Sequence, residues 1–471
     1  MNSKIVKYLA LSPVIIGSLS CNRQPLTQRP NIIFILTDDQ RWDALGYAGN
    51  KDIHTPAIDK LAQEGIYFRN AFVTTPISAA SRASILTGLY ERTHGYTFET
   101  GNLPDEYMNL SYPVLLRKNG YKTAFYGKLG VNYEHAESLF DNAEIYDRSG
   151  RTGYYSKTVN GDTVHLTPYT GYLARNFISN ASSGQPFCLS ISFSAPHAHD
   201  PAPEQYFWGE EVDLLYRDII IAPPKLGEDK FFESLPEEVR KGFNRVRWGW
   251  RYDTPEKYQH SLKGYYRMIS EVDNEIAKIR ESLEEKGIAE NTIIIFMGDN
   301  GFFLGERQLA GKWLMYDNSL RVPMLIYDPR NKRHKDIFEP VLNIDIAPTI
   351  LDLADVICPD IYQGKSLRGY YTSDKVAPER ETILFEHLWK LPQIPSSEGV
   401  RTEKWKYFRY RFIDAPEELY DLENDPMETV NLALDTTYQN ILFTLRKECD
   451  RQIQQYQDAR IIDPGSLSDA K

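Results

Sequence analysis

An α/β fold with a large mixed, mostly parallel sheet sandwiched by helices is what this 471-residue chain predicts. Three stretches carry that expectation. Asn31 to Thr37, Phe187 to Ser194 and Thr292 to Met297 are near-continuous apolar runs, the pattern of strands buried on both faces. Two of them end in acid-rich turns, Asp38-Asp39 and Gly298-Asp299-Asn300-Gly301, and the third runs into Ala195-Pro196-His197. Ligands collect at the carboxyl ends of strands in such sheets. The length suits one large domain and a smaller one.

Taken in order, the first strand delivers Asp38 and Asp39, two adjacent carboxylates that a cation would neutralise most simply. Thr55-Pro56 opens a helix with Ile58, Leu61 and Ala62 on one face and Gly65 closing it. After Pro76 a second helix starts near Ser78 or Ala79 and ends at Gly88, with Arg82 on the same face as Ser78. Ser78 thus lies at the positive end of a helix, where an oxyanion is favoured. A serine cap followed by a surface arginine is the plain structural account of the same residues.

Tyr112 to Lys118 reads as a helix and Tyr121 to Tyr126 as a strand, followed by Gly127-Lys128-Leu129-Gly130. His199 follows His197 two residues on. Residues 200–257 read as an irregular insertion rich in Pro, Trp and Tyr. Within it, Arg247, Trp248, Trp250 and Arg251 are substrate-binding candidates, since arginine suits bidentate anion contacts and tryptophan a sugar face. The structural alternative is a helix anchored by its tryptophans with solvated arginines. Tyr258 to Glu285 is a long amphipathic helix containing Asp273, and Asn343 to Thr349 starts another.

Several of these segments together resemble the type I sulfatases. Ser78-Ala79-Ala80-Ser81-Arg82 is similar to the family signature in its serine form, with Ala80 where proline is commoner. The Asp38-Asp39 strand end, Gly127-Lys128, Ala195-Pro196-His197 and Gly298-Asp299-Asn300-Gly301 with Lys312 follow in family order. The resemblance implies an alkaline-phosphatase-like fold over residues 30–380. It also implies a smaller C-terminal antiparallel-sheet subdomain over 381–471. It further implies calcium held by Asp38, Asp39, Asp299, Asn300 and residue 78, and conversion of Ser78 to formylglycine by a serine-type maturating enzyme. Arg82, Lys128, His197 and Lys312 would handle the sulfate ester. The oxygen donors suit a hard cation, and Asn300 in place of a histidine argues against zinc. One departure stands out: family members carry a histidine where this chain has Gly130. His135 and His199 are the nearby substitutes, and a glycine that simply widens the pocket is the favoured reading.

The substrate expected from the resemblance is a sulfated glycan. The competing readings are a phosphoester or phosphonate hydrolase of the same superfold, and a catalytically silent glycan-binding lipoprotein. A net charge of −11 gives no field for nucleic acid, so attraction of an anionic substrate must be local. Lys4 and Lys7 precede an apolar run from Leu9 to Leu19 that is too short to span a bilayer, ending Gly17-Ser18-Leu19-Ser20-Cys21. Residues 1–21 therefore resemble a bacterial lipoprotein signal with Cys21 lipidated. The expectation is export to the periplasm or outer membrane of a Gram-negative, anaerobic bacterium, with the lipid as the only membrane contact. Cys188, Cys358 and Cys449 are then left, allowing at most one disulfide.

Overall fold

The computed structural model describes residues 29–462 except 99, 201 and 374; the expected signal segment, residues 1–21, and Cys21 lie outside them. The strands of the main sheet are β1 (Asn31–Thr37), β2 (Ile66–Phe68), β3 (Lys122–Gly127), β4 (Asn142–Ile145), β5 (Phe187–Ser192), β6 (Thr292–Gly298), β7 (Met324–Tyr327) and β8 (Lys335–Ile337). They lie side by side in the order β8-β2-β7-β6-β1-β5-β3-β4. Strand β7 is antiparallel to both its neighbours and every other pairing in the sheet is parallel.

The apolar runs are continuous because both sheet faces are covered. Ile32, Phe34 and Leu36 of β1 enter one core with α2 (Ser78–Thr87), while Ile33 and Ile35 enter a second core on the other face. That second core holds α1 (Pro56–Glu64), α3 (Leu166–Ser179) and α5 (Pro255–Glu285). Strand β6 alternates in the same way, with Ile293, Ile295 and Met297 on one side and Ile294 and Phe296 on the other. Asp273 of α5 accepts from the backbone N–H groups of Ile58 (2.7 Å) and Ala57 (3.0 Å), so it caps α1.

A four-stranded antiparallel sheet, β9 (Ile383–His387), β10 (Ser397–Arg401), β11 (Trp405–Tyr410) and β12 (Glu418–Asp421), shares the α2-side core, as does Cys449 of the C-terminal helix Gln439–Asp458. Cys188, Cys358 and Cys449 are free thiols.

Residues 200–257 correct one expectation. Phe243–Arg251 forms α4, with Asn244, Arg247 and Arg251 as its buried face and Trp250 39% exposed. The arginines point inward because Asp200 pairs with both, and the tryptophan carries the outer surface instead.

Candidate active site

Register places the acids. Thr37 of β1 pairs with Gly298 of β6, so Asp38 and Asp299 leave neighbouring strands at the same level. Asp299 N–H donates to Thr37 O (2.9 Å), and Asp39 N–H donates to Asp299 Oδ1 (3.0 Å). On the other side, Leu36 and Gly127 both pair with residue Ser192 of β5, which sets Lys128 beside the same strand ends. Helix α2 begins directly in front of them. It ends at Gly88, whose φ of 67° is the left-handed turn that favours glycine.

Ser78 is the first residue of α2 and is buried at the floor of a cavity of about 850 Å³. Its Oγ lies 2.9 Å from Asp38 Oδ1 and 3.1 Å from Asn300 Oδ1, and accepts from Lys312 Nζ at 2.7 Å. Lys128 pairs with Asp38 Oδ2 and Lys312 with Asp39 Oδ1. The Lys312 loop is fixed from two sides. Asn244 of α4 donates to the carbonyls of Ala310 and Lys312 (both 3.0 Å), and Trp313 N–H donates to Pro76 O (3.1 Å). Arg82 binds Asp299 Oδ2 through Nε (2.8 Å), and its Nη1 donates to Lys128 O (2.6 Å) and Ser192 Oγ (2.7 Å).

The electrostatics follow from burial. Burial pushes the Asp38 carboxyl up, but Lys128, with Arg82 and Lys312, outweighs it and holds the group well below the usual range. Asp299 is raised to about 6 by burial and by its neighbour Asp38, despite Arg82. Buried acids this close favour a divalent cation. Asp39 Oδ2 has no hydrogen-bond partner, and Asn300 donates through Nδ2 to Asp39 Oδ1 (2.7 Å) while its amide oxygen faces Ser78. Asp38, Asp39 and His197 also bring ligand atoms within 4.8 Å of one another. The donor set fits a metal ion held by Asp38, Asp39, Asp299 and Asn300.

His197 follows β5 and is buried. Its Nε2 lies 3.0 Å from an Nη2 of Arg148 and 3.4 Å from Asp39 Oδ2, and its Nδ1 faces Ala198 O. Guanidinium only donates, so Nε2 is the acceptor and Nδ1 carries the hydrogen. Burial, reinforced by Arg148, holds the imidazole pKa well below its ordinary value.

The structure thus brings together Asp38, Asp39, Ser78, Arg82, Lys128, His197, Asp299, Asn300 and Lys312. Of the other candidates only Arg247 lines the cavity, where its guanidinium carbon lies 4.7 Å from the Trp313 ring centroid. His199 turns away to Gly150 O (2.7 Å) under Gly153, and His135 is exposed on a loop. Arg251 is fully buried against Asp200, Trp248 lies against Arg245, and Trp250 meets Phe243 edge-on; none of the three lines the cavity. Sequence reasoning missed Asp147 and Arg148. They follow the half-polar edge strand β4, too weak a pattern to read as a strand. An acid–base pair just past a strand end was the available signal.

A metal-binding set at strand ends, a buried hydroxyl on a helix N-terminus and a ring of fixed cations define a hydrolase of anionic esters. The sulfatase family model matches residues 30–356, and the C-terminal model of N-sulphoglucosamine sulphohydrolase matches 305–455. The chain belongs to the sulfatase family and is a sulfuric ester hydrolase; formylglycine and a metal ion are general to that family. It is 28% identical to an N-acetylglucosamine-6-O-sulfatase of Bacteroides thetaiotaomicron, over 94% of this chain and 90% of that protein. An arylsulfatase of Clostridium perfringens is 29% identical over 89% and 93%. A solved structure holding D-glucosamine-2-N,6-O-disulfate as its substrate superposes with a TM-score of 0.77 at 25% identity, over 94% of this chain and all of that one. A phosphonate monoester hydrolase from Silicibacter pomeroyi shares the fold (TM-score 0.75, 21% identity, 91% and 96% covered).

Proposed function

We propose that this sulfatase removes sulfate from a sulfated carbohydrate, at a formylglycine made from Ser78 and held beside calcium. The carrying observation is Ser78 Oγ fixed between Asp38 and Asn300 on the floor of a cavity walled by Tyr96, Phe98, Tyr133, Trp313 and Trp389. Aromatic walls suit the apolar faces of a sugar ring, and the names of the relatives point the same way.

When present, the aldehyde hydrate and the cation together supply an acidic oxygen nucleophile for attack on sulfur. This chain's residues do the rest. Lys312 donates to the position 78 oxygen and fixes its direction. Lys128 and Arg82 are held in place before substrate arrives, so charge on the sulfate oxygens meets donors that need not reorganise. His197 borders the same space, with its Nε2 lone pair engaged by Arg148.

The oxygen-only donor set supports calcium. The N-terminal sequence supports an exported lipoprotein, and serine at position 78 supports a maturating enzyme that accepts serine and an anaerobic host. Mass spectrometry of the Ser78 peptide from the native source tests the chemistry: loss of two hydrogens is expected. An unmodified serine in fully active protein overturns it. Sulfated monosaccharides and disaccharides, set against an aryl phosphonate, test the substrate class; turnover of the phosphonate alone overturns the reading.

A further inference from the structure

Arg148 belongs to none of the segments that carry the family pattern, yet it stands at the reaction centre. Strand β4 pairs in parallel with β3, Gly127 opposite Ile145, so Lys128 and the Asp147-Arg148 pair leave the sheet side by side. The Tyr146 N–H donates to Gly127 O (3.0 Å) and extends that pairing to the last residue before Asp147. Lys128 Nζ lies 3.6 Å from Asp147 Oδ2. The Arg148 side chain is 14% exposed, and its guanidinium lies 3.0 Å from Asp147 Oδ1, 3.7 Å from Asp38 Oδ2 and 3.0 Å from His197 Nε2. It lines the same cavity as Ser78, Lys128 and Lys312.

We infer that Arg148 is a direct ligand of the substrate's sulfate group, a fourth cation in the cradle, and that this inference rests on Ser78 being the reaction centre. Two observations support it independently. The first is the charge balance. Within the ion-paired group around Ser78, which excludes the outer Arg247–Asp200–Arg251 cluster, Arg82, Lys128, Arg148 and Lys312 face Asp38, Asp39, Asp147 and Asp299, four against four. A divalent cation leaves two positive charges over, and a sulfate ester monoanion with an ionised nucleophile cancels them. Without Arg148 that inner group is one positive charge short.

The second is space. Gly130 lines the cavity and has no side chain to offer the sulfate. His199 and His135 are both directed elsewhere. Arg148 enters from the neighbouring strand end instead. Its Nη2 donates to His197 Nε2, which blocks that histidine from donating to the ester through the same nitrogen. The donor facing the ester is therefore the guanidinium, whose planar fork matches two sulfate oxygens.

The test is equilibrium binding of inorganic sulfate, by calorimetry in calcium buffer, to the parent protein and to Arg148→Gln and Arg148→Lys, with melting temperatures alongside. Loss of sulfate affinity of at least tenfold in Arg148→Gln, with a smaller loss in Arg148→Lys, is expected. KM for 4-nitrophenyl sulfate should rise in parallel. Unchanged sulfate affinity with a lowered melting temperature would overturn the inference and leave Arg148 as a structural partner of Asp147. If Arg148→Gln does not fold, Arg148→Lys decides alone: sulfate affinity equal to the parent overturns the inference. A parent protein that neither binds sulfate nor hydrolyses the ester would overturn the function itself, a separate outcome.

Discussion

A methyl group built on the α-carbon of Gly130 would lie 2.7 Å from Cδ of Arg82 and 3.4 Å from Cε of Lys128. Arg82 cannot easily yield, because its guanidinium is held by Asp299, Ser192 and the Lys128 carbonyl. Gly130 also has a φ of 71°, where any side chain is strained. The glycine therefore lets the side chains of Arg82 and Lys128 pass close to this turn. Gly130→Ala should lower kcat/KM at least tenfold and reduce the melting temperature, the backbone strain alone costing about 1 kcal/mol. Unchanged kinetics would show that Arg82 tolerates displacement.

Ser78→Ala should leave a folded protein without turnover. The hydroxyl contributes hydrogen bonds to Asp38 and Asn300, but it sits at the start of a helix whose remaining residues are packed independently of it. Circular dichroism and turnover of 4-nitrophenyl sulfate check the two halves. Residual activity above a hundredth of the parent would move the nucleophile elsewhere.

Removal of calcium should abolish activity and lower the melting temperature, because Asp38, Asp39 and Asp299 lose the cation that offsets their mutual repulsion. Calcium at a hundred times its dissociation constant should add about 2.7 kcal/mol of stability. Thermal denaturation with and without chelator measures this. Restoration by zinc alone would overturn the assignment of the metal.

Acid should destabilise the fold through buried histidines. His94 accepts from Tyr96 N–H at Nδ1 (3.0 Å) and faces Ser84 Oγ through Nε2 (3.1 Å); burial depresses it to about 3. His387 is likewise depressed to about 3 by burial. The folded state favours the neutral ring, so the unfolded chain takes up protons first. Stability is complete above the unfolded pKa near 6.5 and is lost as pH falls from there toward 3. At pH 5 each ring costs about 2 kcal/mol. His94→Gln should reduce the proton uptake on acid unfolding by about one. An unchanged slope would remove His94 from the account.

His135→Ala should leave kcat within a few-fold of the parent, since His135 lies exposed on a loop. A hundredfold loss, about 2.7 kcal/mol, would require that loop to close over Ser78.

What was legible in the sequence depended on how strongly physics constrained each residue. Asn31–Thr37 and Thr292–Gly298 showed themselves because a strand covered on both faces leaves its middle no room for polar side chains. Asp38, Ser78 and Lys312 were legible because the residues beside them are constrained as well. Arg148 was not, because its strand lies at the sheet edge with half-polar residues. Arg251 misled for the opposite reason. An arginine in an aromatic segment looks like a binding residue, and only the fold shows Asp200 opposite it.

Asp39 and Asp299 lie 260 residues apart in the chain, yet they meet because β1 and β6 pair in one register. During synthesis at about 5 to 20 residues per second, β1 is made roughly 10 to 50 seconds before the strand that completes it. Throughout that interval its side toward β6 presents unpaired backbone groups and a near-continuous apolar sequence, the features of an aggregation-prone edge. No N-terminal fragment ending before residue 300 contains the full set of metal ligands. Metal affinity should therefore appear only once β6 is seated against β1.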